Sequence, residues 1–255
     1  VFGRNKPREF SPKDIALAES FRDQAVIAIE NARLFNETQE ALERQTATAE
    51  ILKVIAASPS DVQPVFDAIA SSSKRLIDGF STTVFRIVDG VMHLVAYTPT
   101  QPQADTALIS TFPRPIAEFP PFAMVSDGQV ARVHDIESDA SVPTLLRDLA
   151  RLRGFRSMLL TPLMRDAAVI GMISVTRKAP GPFAEHHVQL LRTFADQAVI
   201  AIENVRLFNE TKEALEQQTA SAEVLQVISN SVADAAPVFD QVLARGDALL
   251  AADSQ

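Results

Sequence analysis

The apolar positions of this 255-residue chain change period along its length, and each period predicts a different element. Ser11-Pro12-Lys13-Asp14 reads as a helix start. Ser11 can cap, Pro12 suits the first helical position, and Asp14 favours the positive end of the helix. Neither proline nor glycine follows Pro12 before Ala57, and the 46 residues from 12 to 57 would span about 69 Å as one helix. An isolated helix of that length needs a partner. Positions at three- and four-residue spacing (Phe21, Gln24, Ala28, Asn31, Phe35, Thr38, Leu42, Gln45, Ala49, Leu52) form a heptad seam broken by Asn, Gln and Thr. Such breaks fix register and leave the seam close to a second packing. The competing reading places Phe21–Phe35 on the sheet of its own domain, with Thr38–Leu52 as a spacer.

Ser58-Pro59-Ser60-Asp61 interrupts this pattern, and Val62–Ile77 resumes it with Val65, Phe66, Ile69, Ala70, Leu76 and Ile77 on one face. The period then drops to two. Thr82–Val88 and Val91–Thr98 flank Asp89-Gly90, a strong hairpin signal. Tyr97–Val125 carries Pro99, Pro102, Pro113, Pro115, Pro120 and Pro121, too dense for central strands. It predicts a long structured lid holding a short helix at Ala104–Phe112. Gln129–Ile136 predicts a short strand. Pro143–Arg153 predicts an amphipathic helix with Leu145, Leu146, Leu149 and Leu152 inward, ended by Gly154. Phe155–Met164 and Val169–Arg177 form a second strand pair joined at Arg165-Asp166. The apolar run Val169, Ile170, Met172, Ile173, Val175 suits a central strand. Phe183 leads into a second long helix. The order implies an α+β fold: an antiparallel sheet with helices on one face, a lid and pocket on the other, and long coiled-coil helices at both flanks.

Those helices are copies of one another. Phe21–Glu50 recurs as Phe194–Glu223 at an offset of 173 residues, with 25 identities in 30 positions. Pro64-Val65-Phe66-Asp67 recurs as Pro237-Val238-Phe239-Asp240. A repeat of this period marks a tandem array. It divides the chain into the end of one unit (1–35), a connector helix (36–57), a complete unit (58–208), a second connector (209–231) and the start of a third unit (232–255). The seam and its echo predict a homodimer through Phe21, Phe35, Leu42, Leu52, Phe194, Phe208, Leu215 and Leu225.

A net charge of −8 argues against nucleic acid, which needs a basic footprint. The absence of cysteine excludes disulfides, thiolate metal sites, a cysteine nucleophile and thioether-linked chromophores. No apolar run reaches the roughly 18 residues of a membrane span, so no membrane contact is expected in this chain, and the composition fits a cytoplasmic protein.

Arg156–Phe208 contains Pro162-Leu163, Gly171-x-Ile173-x-Val175, Phe183 and Phe194-Ala195-x-Gln197-Ala198-x-x-Ala201-Ile202-x-Asn204. This combination resembles the last two strands and closing helix of a GAF domain, and the resemblance covers about Leu52 to Phe208. It implies a small-molecule pocket between sheet and lid, or a dimerisation spacer, in a bacterial multi-GAF signalling protein that ends in a sensor histidine kinase of a two-component system or in a nucleotide cyclase. One GAF subclass binds cyclic nucleotides through an N-K…F-x-x-x-D-E motif. The first unit shows Asn5-Lys6…Phe10-x-x-x-Asp14-Ile15, whereas the complete unit keeps only Phe183. Bilin-binding relatives generally attach their chromophore through cysteine, which this chain lacks.

Candidate pocket residues are Tyr97, Phe119, Phe122, His134 and Arg156. Tyr97 and His93 sit on one strand with Val95 between them, reading as one face that either lines the pocket or forms an edge. His134 precedes an acidic turn and either joins His93 at a haem or metal, or bonds a carboxylate at the surface. Adjacent His186 and His187 point to different faces of a solvated helix start. Arg147, Arg151, Arg153 and Arg156 either receive an anionic partner or form a solvated face. Phe112, Phe119, Phe122 and Met124 either fill the pocket or contact an apolar ligand. No metal-ligand spacing, phosphate-binding glycine loop or catalytic constellation is found, so the fragment is read as non-catalytic and without an assigned cofactor.

Overall fold

The computed structural model describes residues 10–252, with side chains described through Glu223 and at Leu225 and Gln226. The Asn5-Lys6 pair and the last residues of the expected third unit lie outside the described residues. The chain forms two compact units. One holds residues up to Ser58 together with Val62–Ala201; the other holds Pro59–Asp61 and the chain from Ile202.

In the first unit, helix α1 (Pro12–Ala57) begins with a capping box: the Asp14 N–H donates to the Ser11 hydroxyl at 3.2 Å, and the Ser11 N–H donates to the Asp14 carboxylate at 3.0 Å. Only its last turns enter the core, where Ala47, Ile51 and Ile55 line up at four-residue spacing. Helix α2 (Gln63–Leu76) buries Val65, Phe66, Ile69 and Ala70.

Strands β1 (Ser81–Val88) and β2 (Val91–Tyr97) form the expected hairpin. Asp89 and Gly90 both adopt positive φ, as a two-residue turn matching strand twist requires. The lid follows: α3 (Pro102–Ser110), a two-residue edge strand β3 (Arg114–Pro115), a 3-10 turn (Ile116–Glu118) and the single turn α4 (Pro120–Ala123). Then come β4 (Ala131–Val133), α5 (Thr144–Arg153), β5 (Ser157–Arg165), β6 (Ala168–Arg177) and α6 (Glu185–Ala252). The sheet is antiparallel in the order β3-β2-β1-β6-β5-β4, so the apolar run on β6 is central. Gly171 lets β1 pass close: a Cβ there would lie 2.3 Å from the Phe85 carbonyl oxygen.

Three sequence expectations change. In α5 the inward line is Leu146, Ala150 and Arg153, while Leu145 and Leu152 are 46% and 56% exposed. At 100° per residue, the 146–150–153 spacing holds one direction that positions 145 and 152 leave. On β2, Val84 pairs with Ala96 but Phe85 pairs with Leu94, so Val95 is a bulge. The extra residue puts Tyr97 and His93 on opposite faces rather than on one.

The third change concerns Phe194, expected at a dimer seam. It is 0% exposed and packed inside its own unit, whereas its echo Phe21 is 50% exposed. No sheet precedes α1 among the described residues to cover Phe21.

In the second unit, α6 continues as helix from Ile202 to Ala252. The echo of Pro59, which follows the end of α1, is Val232, so nothing at that point removes a backbone donor. Arg206 forms ion pairs with Glu203 and Glu210 along this helix.

Candidate functional site

Strand alternation divides the sheet into two faces. One face, including Val84, Ile173 and Val175, forms the fully buried core beneath the helices. The other is a floor of cross-strand pairs: Ser81 with Thr176, Thr83 with Ser174, and Phe85 with Met172. Met158 and Leu160 of β5 extend it, pairing with Thr176 and Ser174. The floor is therefore hydroxyl-rich at one end and apolar at the other.

The lid closes over the apolar end. Phe85, Phe112 and Phe119 form a triangle with ring centroids 4.9, 5.6 and 5.3 Å apart. What remains is a cavity of about 40 Å³, bounded by the floor, Leu108, Phe119, Leu146, Leu149 and Arg153. Pockets that enclose drug-sized ligands run to roughly 300–1,000 Å³, so this space holds water-sized groups until the lid moves. Phe112 and Phe119 thus fill the pocket themselves.

Of the expected pocket residues, Phe119 borders the cavity. Tyr97 instead lines a surface groove with His93, Ile109, Phe112 and Pro113. Phe122 packs against the lid-side core from a partly buried position. His134 is exposed, and its carbonyl accepts the Gly181 N–H at 2.7 Å. Arg156 is engaged by Asp135, its Nε and Nη2 each donating to a carboxylate oxygen at 2.8 Å. The structure does not bring these residues together at the cavity.

The arginine cluster resolves into individual roles. Arg147 donates to the carbonyls of Ile136, Asp139 and Val142, pinning the loop before α5. Arg151 grips Glu137 at 2.8 and 2.6 Å. Hydrogen bonds from Arg156 and Arg151 hold the Asp135 and Glu137 carboxyls below the usual carboxylate range.

Arg153 differs from the others. It is 3% exposed, with Nη1 3.6 Å from Asp105 and Nη2 without a hydrogen-bond partner. Burial pushes its guanidinium below the ordinary value, against the opposing pull of Asp105. The sequence offers Arg153 with Arg147, Arg151 and Arg156 as either an anion-receiving cluster or a solvated face, and does not single it out. The available signal was its place on the 146–150–153 line.

His186 and His187 do not diverge as two solvated side chains: their rings lie 4.1 Å apart, and His187 Nδ1 sits 3.1 Å from Arg177 Nη2. Among the described residues, no group of three His, Cys, Asp or Glu side chains could hold a metal ion, and no helix is long and apolar enough to cross a membrane.

The GAF domain family model matches residues 61–202. No curated protein matches the chain. Among solved structures, the GAF domain of a phosphoenolpyruvate-protein phosphotransferase from Coxiella burnetii is similar at 13% identity and TM-score 0.55, covering 67% of this chain and 98% of that one. The GAF domain/HD domain protein from Geobacter sulfurreducens is similar at 18% identity and TM-score 0.51, over 59% of this chain and 97% of that one. GAF3 of a Synechocystis protein, in its photoproduct state, is similar at 18% identity and TM-score 0.51, over 59% and 99%. At these identities the likeness concerns the fold.

Proposed function

The chain belongs to the GAF domain family, whose members are generally sensory or regulatory modules of signalling proteins, and from that premise we propose that it relays a signal along its long helices within a homodimer. The observation that carries this reading is a set of apolar residues exposed in both copies of the repeat. Ile27 and Ile200, Leu34 and Leu207, Phe35 and Phe208, Leu42 and Leu215, and Leu52 and Leu225 are equivalent pairs, and all ten are exposed. Phe194, Ala198, Ala201 and Ile202 are buried, while their echoes Phe21, Ala25, Ala28 and Ile29 are exposed. One stripe is thus buried on α6 and exposed on α1, and a second stripe is exposed on both helices, where a partner helix can cover it. Isologous pairing of identical chains covers the second stripe without a further component.

A ligand beneath the lid would shift the helices only through different affinity for their two arrangements. In this reading residues 58–208 are the sensor, 36–57 and 209–231 are its connectors, the setting is cytoplasmic, and a kinase or cyclase lies downstream. The alternative is a ligand-free spacer and dimerisation module, favoured by the Phe85–Phe112–Phe119 plug and the small cavity.

Sedimentation velocity tests the dimer. The chain should sediment as a dimer, and Phe35→Glu combined with Phe208→Glu should give a folded monomer. A wild-type monomer at high concentration would sink the relay.

A further inference from the structure

Arg153 closes α5 on the line of Leu146 and Ala150, so a guanidinium stands where a core helix would ordinarily place an apolar side chain. Its compensation is incomplete. Nη1 reaches the Ala104 carbonyl at 3.4 Å, a long hydrogen bond, and the Asp105 carboxylate at 3.6 Å. Asp105 is itself held by the Thr100 N–H and hydroxyl, each at 2.8 Å. Nη2 is buried with no partner, and Arg153 borders the cavity. Buried donors are satisfied in the great majority of proteins, so an unsatisfied guanidinium nitrogen beside a cavity calls for an acceptor from outside the chain.

The floor supplies the rest of a binding site. The Ser81 and Thr176 hydroxyls bond each other at 2.8 Å. Thr83 and Ser174, paired across β1 and β6, also border the cavity, and no protein hydrogen bond engages their hydroxyls among the described residues. Beyond them the walls are apolar: Phe85, Phe119, Leu160 and Met172.

We infer that the space between sheet and lid takes a small carboxylic acid in its anionic form, with the carboxylate on Arg153, Thr83 and Ser174 and an apolar body against Phe85, Phe119 and Met172. With Asp105 already facing the guanidinium, an entering carboxylate leaves the site one net negative charge and a phosphate dianion leaves it two, so the monoanion carries the smaller cost in a low-dielectric site. The cavity of about 40 Å³ is on the scale of the acid's head group, and the body enters by displacing the Phe119 ring. The inference rests on the reading of this module as a small-molecule sensor.

Methyl NMR on the full chain tests it. The chain has five methionines, and Met158 and Met172 line the cavity. The probes are butyrate and benzoate, each against its neutral amide. The acids should shift the Met158 and Met172 methyl signals saturably and bind at least about tenfold more tightly than the amides. Arg153→Met should remove that preference. Thr83→Val, which keeps the branched shape, should weaken acid binding about threefold.

Equal binding of acid and amide, or full acid affinity in Arg153→Met, overturns the carboxylate assignment and leaves the sensor standing. If no acid moves either methyl signal, the assignment also fails. The relay reading is decided separately by sedimentation, where a wild-type monomer sinks it whatever the acids do.

Discussion

At the scale of single residues, His187 sets an acid sensitivity. It sits at the start of α6 against Arg177, which also donates to the Ile77 carbonyl and so ties β6 to α2. Burial, then His186 and Arg177, push the His187 imidazole from 6.5 down to about 4, with Asp78 opposing. The unfolded chain therefore takes up this proton near pH 6.5 and the folded chain only near pH 4. The His187 contribution to stability is complete above pH 6.5, falls as pH drops through that window, and changes no further below it. Denaturation midpoints between pH 4 and 6.5 should fall for the wild type and fall less for His187→Gln. Gly171 gives a second prediction. A Cβ at 2.3 Å from the Phe85 carbonyl oxygen must push β1 and β6 apart, so Gly171→Ala should lose about 1–3 kcal/mol in chemical denaturation.

At the scale of elements, α5 shows how far periodicity reaches. Four leucines advertised an amphipathic helix, and the helix is there, ending at Gly154 in a left-handed conformation. The inward line is not the one the leucines alone suggest, because Arg153 occupies a core position and turns Leu145 and Leu152 outward. Leu146→Ala should therefore lose about 2–5 kcal/mol, while Leu152→Lys should stay within about 0.5 kcal/mol of the wild type, both read from thermal melts. The β2 bulge at Val95 is a comparable case. Hairpin and turn were legible from Asp89-Gly90, but one extra residue reverses the faces of everything beyond it, and no composition signal marks it. The capping box of α1 was legible, since Ser11 and Asp14 interact three residues apart. Ser11→Ala should cost about 1 kcal/mol, seen as faster amide exchange in the first turn of α1.

At the scale of the molecule, the repeat makes the same helix available in two settings, one closing a sheet and one without a sheet among the described residues. Comparing them separates the residues that the complete unit buries from those exposed in both copies. The chain contains no cysteine, so single cysteines report cleanly. In a parallel, in-register homodimer, Leu42→Cys and Leu215→Cys should each cross-link to the same residue of the second copy, and an antiparallel pair should not. The sequence by itself determined the element order, the α+β class, the hairpins, the helix starts and the duplication of the long-helix sequence. Each of these rests on contacts between near neighbours or on repetition along the chain. Only the tertiary structure decided that Phe194 is core, that Arg156 belongs to Asp135, and that Arg153 faces a cavity floored by Thr83 and Ser174. Those outcomes depend on which strands and helices meet, and residues 83, 153 and 174 are brought together by β1, α5 and β6, a convergence that no local pattern records.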